Sequence, residues 1–243
     1  MTLQEFTAAL NGWGRTKTPF FFCVDFELEK PVAFKLAEAE DHNVIFSING
    51  FTNAMDDASC LGQATIKKFP ITFSEYKRKF DKVFERLAYG DSFLTNLTIK
   101  TQIEIDRSLN EVFHSANAKY KLLMNNKFLV FSPETFIQIR DQKIFSYPMK
   151  GTIDASLPNA AEVILNDQKE KAEHITIVDL IRNDLSLVSK NVEVSKFRFI
   201  DEIKTSNKNL LQVSSEITGT LSDDYLEHLG DILVTRSEEH TSE

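Results

Sequence analysis

Residues 120–148 read YKLLMNNKFLVFSPETFIQIRDQKIFSYP. Four runs stand out, YKLLMNN, KFLVFSP, TFIQIR and KIFSYP, each rich in aromatic and branched apolar residues and parted from the next by a short turn. Runs of this kind predict a meander of strands, and consecutive hairpins predict an antiparallel sheet. After residue 157 the period becomes helical. LPNAAEVILND (157–167) predicts one helix and KEKAEHITIVDLIRNDLSLVSKN (169–191) a second, with Ala172, Ile175, Val178, Ile181, Leu185 and Val188 on one stripe. Ile177 and Leu180 add apolar side chains on other faces, so this helix is expected to be buried nearly all round. VEVSKFRFI (192–200) and NLLQVSSEITGTL (209–221) predict strands, and SDDYLEHLGDILV (222–234) an acidic helix. Long antiparallel strands with helices packed outside them define an α+β fold.

Upstream, FFFCVDFELEKPVAF (20–34) and NVIFSING (43–50) also read as strands, and 51–69 as a polar connection. SEYKRKFDKVFERLAYG predicts a helix opened by Ser74 and stopped at Gly90. SFLTNLTIKTQIEI (92–105) predicts a strand and SLNEVFHSAN (108–117) a short capped helix. The expected division is an N-terminal strand-rich subdomain at 1–65, a second domain at 66–235, and a tail at 236–243.

The 243 residues are 42% hydrophobic and 26% charged, ordinary for a globular chain with a sizeable core. A net charge of −8 argues against nucleic acid or an anionic membrane as partner, because both call for clustered Lys and Arg. Two cysteines suit a reducing compartment. The opening MTLQEFTAALNGWG has neither the basic start nor the apolar run of a signal peptide, and no apolar run approaches the ~20 residues of a membrane span. A cytoplasmic protein without membrane contact is expected. Nucleotide-binding and serine-hydrolase motifs are absent from the sequence.

Several charges call for explanation. Lys150 sits in YPMKGT, between Pro148 and Gly151, which predicts a turn; it is either a solvated turn lysine or a reactive amine. Glu170 and Glu173 lie three apart on one helical face. They are either a solvated helix start or a pair of carboxylates for a hard divalent cation such as Mg²⁺, which keeps several waters. Glu134, leaving a strand after Ser132 and Pro133, is either a turn residue or a general acid. His174 is expected to be a hydrogen-bonded core residue. Asp179 and Arg182 can pair across three residues, and Asn183 and Asp184 can cap neighbouring backbone.

SPETF, YPMKGT, KEKAEHITIVDLIRNDL and SSEITGTL, in that order, resemble the chorismate-utilising enzymes, as does GDSFLTNLTIKT before them. The resemblance covers about residues 70–235 and implies the fold of that family, here incomplete at the C-terminus. Its anthranilate and isochorismate synthases usually carry alanine where Lys150 stands. Its aminodeoxychorismate synthases carry a nucleophilic lysine, and the short N-terminal region also resembles theirs. The resemblance thus implies amination of chorismate to 4-amino-4-deoxychorismate for para-aminobenzoate and folate synthesis. Ammonia would come from a separate glutamine amidotransferase subunit.

By the same resemblance, Glu173 is a Mg²⁺ ligand, Glu170 a neighbouring carboxylate acting through metal-bound water, and Glu134 the acid that protonates the leaving hydroxyl. Gly151 and Thr152 are substrate contacts. Gln212 stands where many members have histidine, and Leu94 where many have glutamine. The alternatives are an anthranilate synthase component I or a non-catalytic chorismate-binding remnant. The final RSEEHTSE (236–243) resembles the translation of a sequencing-adapter oligonucleotide, so the natural gene is expected to run on. The resemblance puts a second metal glutamate and the arginine and glycine contacts to substrate beyond residue 235, so residues 1–243 alone are expected to be inactive.

Overall fold

The computed structural model describes residues 1–55, 64–92, 95–205 and 208–235. In chain order its elements are α1 (Leu3–Arg15), β1 (Phe20–Cys23), β2 (Val32–Lys35), β3 (Val44–Ile48), β4 (Phe51–Thr52), β5 (Ile66–Phe69), α2 (Phe73–Tyr89), β6 (Gln102–Ile105) and α3 (Leu109–Ser115). They continue with β7 (Tyr120–Met124), β8 (Phe128–Ser132), β9 (Gln138–Arg140), β10 (Lys143–Ser146), β11 (Met149–Asp154), α4 (Ala160–Asn166), α5 (Gln168–Val188), β12 (Lys190–Ile203), β13 (Leu210–Thr220) and α6 (Leu229–Val234). Every strand pair is antiparallel, and the fold is α+β. Among the described residues no helix is long and apolar enough to cross a membrane.

The chain forms two compact units, one of residues 1–55 and 117–235 and the other within 56–116. The units therefore do not part at residue 65. The physical reason is strand pairing: β3 pairs with β7 from Val44↔Met124 to Ile48↔Tyr120, which ties the N-terminal residues to the chain after 117.

In the larger unit one sheet has the order β4-β3-β7-β8, and another has β11-β13-β10-β9 with β12 also on β13. The stretch 120–148 is thus not one meander. It makes two hairpins, β7–β8 and β9–β10, in separate sheets. Pro133, which cannot donate to a ladder, lies where the chain leaves the first sheet. α5 packs on the second sheet through Val178 and Leu185, which meet Ile144, Ile217, Leu221 and Ile232. The helix is amphipathic, contrary to the expectation of burial all round. Ile177, Val178 and Leu185 are buried, whereas Ile175 is 48% and Leu187 75% exposed. Asp179 and Arg182 do pair, at 3.2 Å, but on the exposed side.

The Phe20–Phe22 run serves two cores. Phe21 stacks on Phe34 at 5.0 Å in one cluster, while Phe20 and Phe22 pack with Phe6 and Leu10 of α1 in another. α1 crosses α6 closely: a Cβ on Gly230 would overlap the Thr7 carbonyl oxygen. α1 went unread in the sequence, although Thr2 and Glu5 form a reciprocal capping box.

In the smaller unit, α2 is capped by Thr72 rather than opened by Ser74, and ends at Gly90 with φ 98°. α3 carries the Ser108–Glu111 capping box. Of the described residues of the expected strand 92–105, only Gln102–Ile105 are strand, where β5 offers four paired residues. β4 and β5 fall in the segment expected to be a plain connection. Leu94 and the tail 236–243 lie outside the described residues.

Candidate active site

β11 is a strand and not the turn expected around Lys150. It carries a bulge: Met149 pairs with Ser214 and Thr152 with Gln212, so three steps on β11 oppose two on β13. Gly151 takes φ 84° there, a conformation that side chains disfavour. Half-buried Lys150, at this bulge, lines a cavity of about 500 Å³. Glu134 lines the same cavity. A tight turn delivers it: Glu134 N–H donates to Ser132 Oγ at 3.0 Å, and the next residue, Thr135, is buried with its hydroxyl 2.6 Å from Tyr120 Oη and 3.0 Å from Lys119 Nζ. Ile177, Ile181 and Leu185 of α5 supply the apolar wall.

Asp184, for which the sequence predicts a backbone-capping role, also lines this cavity. Its signal was its place on the helix. Positions 177, 181, 184 and 188 recur at helical spacing, so a carboxylate stands on a stripe that is otherwise apolar.

Glu170 and Glu173 occupy the first turns of α5, where Asp167 caps the helix by accepting from Glu170 N–H at 3.0 Å. A Cβ built on Gly151 would lie 3.3 Å from Glu170 Oε2 and 3.4 Å from Ile164 Cδ1, so the Glu170 carboxylate rests against the bulge. Glu173 Oε1 pairs with Lys169 Nζ at 3.4 Å. Thr152 and Gln212 sit opposite each other across β11 and β13. The structure thus joins Lys150 with Glu134, Gly151 with Glu170, and Thr152 with Gln212. Glu170, Glu173, Gly151, Thr152 and Gln212 do not line the cavity that holds Lys150 and Glu134.

Among the described residues no group of three or more His, Cys, Asp or Glu side chains is arranged to hold a metal ion. Glu170 rests against Gly151 and Glu173 pairs with Lys169, and a Mg²⁺ ion held by these two carboxylates alone would need water or substrate oxygens to complete its shell.

His174 is fully buried, with Nε2 2.7 Å from Ser215 Oγ, as expected of a core histidine. Burial, reinforced by the positive charges of Arg198 and Lys150, holds its pKa down to about 4 from an ordinary 6.5.

Residues 8–232 match the chorismate binding enzyme family, and the chain belongs to it. An uncharacterized PabA-like protein of Haemophilus influenzae is 45% identical over 96% of this chain, which spans 71% of that protein. Aminodeoxychorismate synthase component 1 of Bacillus subtilis is 28% identical over 64% of this chain and 35% of its own length. Among solved structures, a 2,3-dihydroxybenzoate-specific isochorismate synthase of Bacillus anthracis shares the fold at TM-score 0.62 and 16% identity, covering 97% of this chain and 65% of its own.

Proposed function

We propose that this protein aminates chorismate to 4-amino-4-deoxychorismate in the cytoplasm, for para-aminobenzoate and folate synthesis, with ammonia delivered by a glutamine amidotransferase subunit. The observation that supports the reading best is the shared cavity of Lys150 and Glu134, an amine and a carboxyl group around one space of substrate size.

In this reading Lys150 Nζ forms a bond to the chorismate ring as the C–O bond of the ring hydroxyl breaks. Glu134 protonates the departing oxygen, which leaves as water, and its carboxylate then takes the proton shed by the Lys150 nitrogen. Ammonia forms the new C–N bond, Lys150 leaves with the electron pair of its own, and a proton from the incoming nitrogen restores the amine. Gly151, Thr152 and Gln212, which the family resemblance makes substrate contacts, lie outside the lining of this cavity and would meet only a part of the substrate that extends past it along β11 and β13. A Mg²⁺ ion held by Glu173 and Glu170 would screen a substrate carboxylate.

The test is intact-protein mass spectrometry on protein expressed from the complete native gene, incubated with chorismate and Mg²⁺ without ammonia. The expected adduct has the mass of chorismate less one water, and Lys150→Ala lacks it. An adduct that survives Lys150→Ala refutes the nucleophile. Adding ammonium salt should yield 4-amino-4-deoxychorismate; anthranilate as the product would place the protein in the other aminating branch.

A further inference from the structure

Ser215 stands at the middle of β13, fully buried, and its polar atoms meet three other segments. Its hydroxyl lies 2.7 Å from His174 Nε2 on α5. The same oxygen accepts the Arg198 N–H at 3.0 Å, from a β12 residue held at φ 51°. The Ser215 N–H donates to the Pro148 carbonyl at 3.1 Å, two residues before Lys150. The Arg198 side chain extends the set: its guanidinium donates to the carbonyls of Leu165 at 2.9 Å and Ile164 at 3.4 Å, closing the last turn of α4. Ile164 and Glu170 supply the atoms nearest to where a Cβ on Gly151 would stand.

From these contacts we infer that Ser215 is a positioning residue, whose hydroxyl fixes the first turns of α5, with Glu170 and Glu173, against the β11 bulge that carries Lys150. The chemical part of this role rests on the amination reading above; the mechanical part does not. The Arg198 N–H can only donate, so Ser215 Oγ accepts there; toward His174 Nε2 the hydroxyl donates in one ring tautomer and accepts in the other, and the contact stands in both. His174 adjoins Glu173 in sequence, so the bond to Ser215 sets the rotation and height of that turn over the sheet. His174 Nδ1 is buried with no hydrogen-bond partner, which leaves Ser215 as the ring's polar anchor. Removing the hydroxyl strands two buried polar groups at once, and the cheapest relief is for the α5 turn to move away from the bulge. Small displacements of reacting groups are costly in rate.

The test uses Ser215→Ala, with Ser215→Thr to keep the hydroxyl and His174→Leu to break the contact from the other side. Hydrogen exchange followed by mass spectrometry reads the mechanics. Ser215→Ala and His174→Leu should each raise exchange in 148–153 and 168–176 together, leaving α1 and β7 at wild-type protection. The rate of adduct formation on Lys150 should fall about ten- to a hundredfold in both variants, and Ser215→Thr should recover most of the exchange protection and of that rate. Exchange that rises evenly through the whole chain in both variants, or an adduct rate unchanged in a folded Ser215→Ala, would overturn the role. If Ser215→Ala fails to fold, His174→Leu decides alone by the same two readouts. If the wild type forms no adduct, the amination reading fails, and the paired exchange of 148–153 and 168–176 still decides whether Ser215 couples the two segments.

Discussion

Acid should destabilise this protein through His174. The ring is buried beside the positive charges of Arg198 and Lys150, and its pKa is held at about 4 against 6.5 for a free histidine. Between those values the unfolded chain binds a proton that the folded one refuses. Stability therefore rises with pH: the contribution is fully present above 6.5 and is lost as pH falls toward about 4. At 1.36 kcal/mol per pKa unit the complete loss is about 3 kcal/mol, of which about 2 kcal/mol is gone by about pH 5. That is a large share of the few kcal/mol that ordinarily separate folded from unfolded states. The assay is urea unfolding followed by circular dichroism from about pH 7.5 to about pH 4.5, for the wild type and His174→Gln, with chelator present so that bound metal adds nothing. Carboxylates titrate in both proteins, so the difference between the two curves isolates the ring. The wild type should lose its advantage over His174→Gln by about 2 kcal/mol between pH 7 and about pH 5. Parallel curves would refute the reasoning.

Glu173→Gln keeps size and removes charge, so Mg²⁺-dependent chorismate affinity should fall while the thermal midpoint stays put; unchanged affinity by calorimetry would make Glu173 an ordinary helix charge paired with Lys169. Gly151→Ala forces a side chain into a positive-φ site against Glu170 Oε2 and Ile164, at a cost of about 1–2 kcal/mol from the backbone alone. Its melting temperature should drop, and a variant as stable as the wild type would show that the bulge is not strained. Gly230→Ala would drive a methyl into the Thr7 backbone where α6 crosses α1, and overpacking of that kind costs about 1–3 kcal/mol. The same substitution at Gly12, with nothing within 4 Å of its Cβ position, is the matched control and should be neutral or stabilising.

The elements that could be read in the sequence are those whose causes lie within a few residues. Gly90 closes α2, Ser108 and Glu111 cap α3, and the apolar spacing of 157–191 makes two helices, because capping and amphipathic period are local properties. Lys150 and Glu134 stood out as candidates by residue type and motif alone. The Thr2–Glu5 box of α1 carried the same local signal as the caps that were found.

What the sequence could not decide depends on partners far along the chain. Lys150 sits at a bulge and not in a turn because β13, some sixty residues later, fixes the register on either side of it. The four runs of 120–148 divide between two sheets because β3 claims β7 and β13 claims β10. Asp184 became a cavity residue, and Ser215 the anchor of α5, only when helix and sheet were packed together. The sequence by itself determined the elements with a local cap or a clear period, the family motifs and the candidate chemistry. The tertiary structure decided which candidates share a space, since strand register and helix packing are long-range choices that no short window of sequence contains.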